Sequence, residues 1–319
     1  MSVDNSLVEK TPPTRGRWDA FVSWLPETVD RRIRVFALLS FIANVLIIAT
    51  GGAVRLTGSG LGCSEWPYCT PDSLVPTPEL GIHGIIEFGN RTLTGVLGIL
   101  AVIVFVLVWR MRSSRRDLFV LAAIVVGGVI AQAVVGGITV LTGLNPFIVG
   151  FHYLASIALV CVTAAFLVRM REQPGPRMLG VPRWFAIITH LTTLVLAITI
   201  VFGVLTTGAG PHSGDANVAR SGFDASILEH VHAWPGYTLF VLTVVLLVGS
   251  WSRRDRVMSL PLWVGVLLCI ELVQIAVGLY QARNGLPELA VGVHMVLASL
   301  AAAAMTVVVL KLKIPASTR

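Results

Sequence analysis

Ile85-Ile86-Glu87-Phe88-Gly89-Asn90-Arg91 places a carboxylate, an amide and a cation at the start of an otherwise apolar segment. At an offset of 142 the chain reads Ile227-Leu228-Glu229-His230-Val231-His232-Ala233. Glu87 aligns with Glu229, and Asn90 aligns with His232. The same offset carries Gln132 onto Gln274, Gly136 onto Gly278, Gly143 onto Gly285, Gly150 onto Gly292 and His152 onto His294. One polar constellation is written twice, with an amide in the first copy where the second has an imidazole.

The residues around these motifs set the class. Of 319 residues, 55% are apolar and 13% charged, and the mean hydropathy is +0.81. Eight apolar stretches are long enough to cross a bilayer as helices, near 34–54, 84–109, 118–140, 147–168, 184–206, 226–249, 260–280 and 289–311. Helices are expected because backbone groups in lipid must be satisfied within their own segment. Lys and Arg cluster before the first stretch and in every second connection, while the alternate loops hold only Arg55, Arg220 and Arg283. This bias places both termini in the cytoplasm of a multi-pass cell-membrane protein. The net charge of +7 is therefore a topology signal rather than a sign of nucleic-acid binding. The polar N-terminus, with Pro12, Pro13 and Pro26, lacks the form of a cleavable signal and reads as a cytoplasmic tail, in which Trp18 to Leu25 can form a short interfacial helix.

A second echo supports the duplication. Val54 to Gly60, which closes the first span, resembles Val204 to Gly210, which closes the fifth, at an offset of 150. Four crossings return a chain to its starting side, so the two halves should share one orientation about an axis along the membrane normal. The expected fold is an all-α membrane protein of eight transmembrane helices, arranged as two tandem four-helix bundles in a parallel pseudo-two-fold repeat. The expected divisions are a tail over 1–32, an N-terminal half over 33–170 and a C-terminal half over 171–319.

Ionisable residues inside spans are costly and usually face the bundle interior. His152, His232 and His294 each lie five or six residues into a span that runs from outside to inside. His232 and His294 are 62 residues apart, as are Asn90 and His152. Two imidazoles at one depth on neighbouring helices can hold a haem iron from both sides; the bland alternative is buried histidines bonded to adjacent helices. His230 is about 200° around the helix from His232 and should face elsewhere. Asn90 is a poor iron ligand beside neutral imidazole, so a six-coordinate site in the first half would need His83 as a substitute. His83 and Arg91 each lie four residues from Glu87, which is thus either half of an ion pair or a partly solvated carboxylate. His190 reads as structural, His212 carries little information, and Cys161 and Cys269 read as packing residues. Cys63 and Cys69, in the longest outer loop, can form a disulfide or remain free thiols.

Taken together, Gly51-Gly52-Ala53-Val54-Arg55-Leu56-Thr57-Gly58-Ser59-Gly60, Cys63-Ser64-Glu65-Trp66-Pro67-Tyr68-Cys69, Glu87-Phe88-Gly89-Asn90-Arg91 and the spaced histidines resemble the haem A synthase family. The resemblance covers nearly the whole membrane portion. It implies a membrane oxidoreductase that converts a methyl group of haem O into the formyl group of haem A by successive hydroxylations, supplying terminal oxidases. It also implies a resident haem b on His232 and His294, and a substrate haem site in the N-terminal half with His152 and a functional Glu87. The cysteine pair would match Cys63 and Cys69, and haem O synthase and terminal oxidase assembly would be partners. Asn90 departs from the family pattern, in which many members have a second histidine after the glutamate. The resulting expectation is that His152, alone or with His83, positions the substrate haem, and that Glu87 is the catalytic residue, accepting a proton or stabilising developing positive charge near the methyl group.

Two other functional classes carry different sequence expectations. A bis-histidine electron-transfer cytochrome should keep two histidines in both halves, and Asn90 speaks against it. A haem carrier should show a polar path across the bundle, whereas the inner halves of the spans look almost purely apolar.

Overall fold

The computed structural model describes residues 16–251 and 259–316. Lys10, Pro12, Pro13, Arg15, Arg253, Arg254, Arg256 and Arg319, and with them residues 1–15 of the expected tail, lie outside the described residues. A short helix α1 (Arg17–Trp24) occupies the expected interfacial segment. The eight expected spans follow as α2 (Arg31–Leu56), α3 (Gly81–Val108), α4 (Arg116–Leu141), α5 (Pro146–Arg169), α6 (Arg183–Ala209), α7 (Ala225–Trp251), α8 (Leu260–Arg283) and α9 (Glu288–Lys311). All eight are long and apolar enough to cross a membrane. The chain is an all-α, multi-pass membrane protein.

Local chemistry fixes the helix ends. Asp30 opens α2 by accepting from the Ile33 amide at 3.1 Å, which satisfies a donor that has no partner within the helix. Asn145 does the same for Phe147 at the start of α5, where Pro146 already has the φ a first turn needs. Asp224 accepts from the Ser226 amide at 2.8 Å and caps α7. After α4 and α8 the chain turns through left-handed Gly143 (φ 60°) and Gly285 (φ 72°), then through left-handed Leu144 and Leu286. Leu144 N–H bonds the Thr139 carbonyl at 2.7 Å, and Leu286 N–H bonds the Gln281 carbonyl at 2.9 Å. The same six-residue closure thus ends both helices, and glycine is required because it enters the left-handed region without steric cost.

The helices pair in one pattern in each half. In the first, α2 packs on α3, α3 on α4, α4 on α5, and α5 back on α2; in the second, α6, α7, α8 and α9 close the corresponding ring. The rings meet where α9 packs against α2 and α5, and where α5 packs against α6. Ala301, Ala302, Ala303 and Ala304 are buried in α9, so small side chains let these helices approach closely.

Apolar cores fill the end of each ring away from the cysteine loop. Ile33, Leu107, Met111, Leu118 and Phe166 pack together in the first half. Phe185, Leu246, Leu260, Met305 and Leu312 pack together in the second. At that end a two-stranded ladder joins β1 (Arg177–Leu179) to β2 (Lys313–Pro315), and Glu172 pairs with Lys311 at 3.0 Å. Cys161 is partly buried, but Cys269 is exposed on α8, which corrects its reading as a packing residue. Aliphatic neighbours around position 269 do not reveal which face of α8 is outermost.

Candidate functional site

With the apolar side chains gathered at one end, the polar residues of the spans surround a cavity of about 280 Å³ near the other end. Asn90 (α3), Gln132 (α4) and His152 (α5) line it from the first half, and His232 (α7), Gln274 (α8) and His294 (α9) line it from the second.

The same contacts hold the two copies. Gln132 Nε2 donates to the His152 carbonyl at 2.7 Å, and Gln274 Nε2 donates to the His294 carbonyl at 3.0 Å. Gly136 and Gly278 give each imidazole its space, because a Cβ would lie 3.4 Å from His152 Cε1 and 3.2 Å from His294 Cε1. His152 Nδ1 is buried with no hydrogen-bond partner among the described residues, whereas the His294 ring bonds the backbone of Gln274. A buried imidazole nitrogen is normally satisfied, so His152 marks a group open to a partner other than protein.

In the second half, His232 Nδ1 meets the Thr199 carbonyl at 2.9 Å. A carbonyl only accepts, so the proton sits on Nδ1 and Nε2 keeps its lone pair. The His232 and His294 rings face each other with centroids 6.2 Å apart at an interplanar angle of 76°. Two metal–imidazole bonds of about 2 Å, plus the distance from each nitrogen to its ring centre, span roughly 6 Å. A spacing of this size would let the two imidazoles hold one metal ion between them. In the first half Asn90 replaces the second imidazole, and its Oδ1 accepts from Thr50 Oγ1 at 2.8 Å.

Glu87 is placed differently from the histidines. It is 4% exposed and does not line the cavity. Arg91 Nη2 pairs with Glu87 Oε1 at 2.5 Å, and the Cys63 amide donates to Oε2 at 2.7 Å. The structure thus contains the ion pair and not a partly solvated carboxylate. Arg91 reaches further, donating to the carbonyls of Cys63, Glu65 and Tyr68 at 3.0, 2.9 and 2.8 Å. Together Glu87 and Arg91 seat the loop that the Cys63–Cys69 disulfide closes. Within that loop the Trp66 ring lies against Gly137 of α4, where no Cβ has room.

His83 Nδ1 bonds Ser59 Oγ at 2.9 Å, and His83 is not among the residues lining the cavity. His230 bonds the Ser226 carbonyl and points away from His232, as the helical spacing requires. His212 has more to do than its loop position suggests: it lines the cavity, and its Nε2 meets the Leu286 carbonyl at 2.8 Å. Its carbonyl accepts from Arg55 Nε at 2.7 Å, while the Thr207 carbonyl takes Arg55 Nη2 at 2.9 Å. Arg55 is thereby held at the cavity with the loop after α6 wrapped around it. Sequence reading also passed over Glu271, a buried carboxylate on the cavity wall in the middle of α8.

The chain is also similar to known proteins over much of its length. The family described as "COX15-CtaA: Cytochrome oxidase assembly protein" matches residues 34–216. A Listeria monocytogenes protein named "Heme A synthase" is 27% identical over 269 residues, covering 79% of this chain and 87% of that protein. A Halalkalibacterium halodurans protein of the same name is 27% identical over 275 residues, covering 81% and 89%. One from Lysinibacillus sphaericus is 35% identical over 145 residues, covering 44% and 45%.

Proposed function

The chain belongs to the COX15-CtaA family of cytochrome oxidase assembly proteins, and from that premise we propose that it is a haem A synthase with one resident and one substrate haem site. The observation that carries this reading is the contrast within one cavity, where His232 faces His294 at 6.2 Å while His152 shares its half with Asn90.

The resident group in this reading is haem b, held by His232 and His294 in the C-terminal half; when bound it supplies one-electron transfer. Thr199 fixes the His232 tautomer, and Gln274 fixes the backbone of His294. Haem O is the substrate of the N-terminal half, positioned by His152 and by the backbone bond from Gln132. Asn90 offers an amide where the twin site has imidazole, so this half holds its haem more weakly and can exchange it. His83 is engaged by Ser59 and stands apart from the cavity, which favours His152 as the one histidine that would hold a haem there. Glu87 acts through the disulfide loop it anchors, as a positioning residue for the substrate site. Arg55, a half-buried cation with no carboxylate partner among the described residues, suits the propionate groups of a haem. Haem O synthase, as the source of substrate, and terminal oxidase assembly, as the destination of product, are the partners this activity implies. Both termini lie in the cytoplasm, from the bias of Lys and Arg among the loops.

Co-expression with a source of haem O, followed by chromatography of the extracted haems, tests the activity. Haem A in the extract is the expected result. Retention of haem b without haem A would instead identify an electron-transfer cytochrome.

A further inference from the structure

Glu271 lies midway along α8, eleven residues from Leu260 and twelve from Arg283. It is 4% exposed and lines the cavity. Thr243 of α7 donates to its Oε1 at 2.8 Å, while Oε2 has no partner among the described residues. Gln274 and Gln281 also line the cavity, and each has an unpartnered, buried Oε1. At 3.6 residues per turn the three side chains fall within about 80° of the helix circumference. They form a seam of vacant acceptors from mid-span towards the cysteine-loop end of the bundle. The first half has no such seam, because Val129 and Thr139 stand at the positions equivalent to Glu271 and Gln281.

A buried carboxylate with an empty acceptor site is costly unless a counter-charge or a proton satisfies it. Iron(III) between two neutral imidazoles leaves the haem core with a net positive charge, and iron(II) leaves it neutral. Glu271 is the one carboxylate among the described residues lining the cavity. The other titratable or charged groups there are His232 from α7, His294 from α9, His152 and Tyr153 from α5, Arg55 from α2 and His212. None of them can supply a negative charge that disappears on reduction without tyrosinate chemistry.

We propose that Glu271 is the proton acceptor coupled to the electron that enters the His232–His294 site, with the α8 seam as its route to the aqueous face. Resting on the haem reading above, the step balances in charge. One electron from an external one-electron donor reduces the site, and one proton from solution protonates Glu271 Oε2. When the electron leaves, Glu271 returns the proton. The site thus never carries an uncompensated charge inside the membrane.

Potentiometric titration of the purified, haem-loaded full chain at a series of pH values tests this. The wild-type midpoint should fall with rising pH towards the one-electron limit of about 59 mV per tenfold change in proton concentration. Glu271→Gln, which keeps the Thr243 bond, should give a pH-independent midpoint with an unchanged low-spin spectrum. A wild-type slope retained in Glu271→Gln would overturn the proposal. Reduced-minus-oxidised infrared spectra of the wild type give a second reading that needs no variant. A protonated-carboxyl band appearing on reduction is expected, and its absence would overturn the proposal. Low-spin haem with a pH-independent wild-type potential would remove this inference alone. Absence of low-spin haem from the wild type would remove the haem reading as well.

Discussion

The Tyr153 hydroxyl donates to the Met295 carbonyl at 2.8 Å, joining the residue after His152 to the residue after His294. These two positions are equivalent in the repeat, so the halves touch each other through matching points beside their histidines. The bond crosses the α5–α9 contact and ties the two sites to one another more directly than any loop does. Tyr153→Phe should keep the ring and lose the bond. A destabilisation of about 1 kcal/mol is expected, in the range measured for buried hydrogen bonds between membrane helices. Unfolding of the purified protein in mixed micelles measures it, and the haem spectrum should be unchanged.

Asn90→His should convert the first half into a second two-imidazole site. The variant is expected to retain an additional haem through purification, and conversion of haem O should fall because the substrate no longer leaves. Pyridine haemochrome quantification per chain, alongside product chromatography, checks both effects. No gain in bound haem would show that Asn90 does not share an iron with His152.

Gly203 packs against the ring of His232, where a Cβ would lie 2.9 Å from Cε1. Gly203→Ala must push the imidazole from its bond with Thr199. A loss of about tenfold or more in haem retention is expected, as for other groups that orient a metal-bound histidine. Gly127→Ala, at a position with open space around it, should have no such effect. Titration of haem into the apoprotein distinguishes the two.

Arg91→Lys keeps the charge but loses the planar fork that spans Glu87 and three loop carbonyls. The loop should loosen, with faster amide exchange over residues 63–69. Conversion of haem O should drop by more than about tenfold, a change of roughly 1.4 kcal/mol or more in the barrier. The haem on His232 and His294 should remain in normal amount. Loss of that haem would mean that the loop supports the whole fold and not the first site.

Gln132→Leu and Gln274→Leu remove the same bond to a histidine carbonyl from opposite halves, and Gln132→Leu also removes the bond to Ser156 Oγ. The first should impair conversion and spare the resident haem. The second should broaden or shift the spectrum of the resident haem before it affects the chemistry. Equal effects of both on the resident haem would argue against separate duties for the two sites.

The sequence made some of these relationships legible and hid others for physical reasons. Long apolar runs and their caps marked the eight spans, because lipid leaves the backbone few choices. The paired Gln, Gly and His positions were visible as a repeat, and Gln132 and Gln274 each bond the carbonyl of the paired histidine. The destination of Glu87 was harder to read. Its i,i+4 partner Arg91 is a local signal, but the Cys63 amide and the loop carbonyls come from a segment more than twenty residues away. His83 illustrates the same limit, since helical spacing puts it near Glu87 while Ser59 claims its ring. Glu271 escaped notice because one carboxylate in an apolar run has no periodicity, and its partner Thr243 lies on another helix. The ladder of Arg177–Leu179 with Lys313–Pro315 joins strands too short to carry a pattern.

The twin bonds from Gln132 and Gln274 have a practical consequence. Each half is an internal control for the other, made in the same polypeptide and handled in the same preparation. A defect in expression, insertion or detergent extraction strikes both halves alike. A defect in chemistry separates them, so a difference between the two halves reports on mechanism without reference to a second protein.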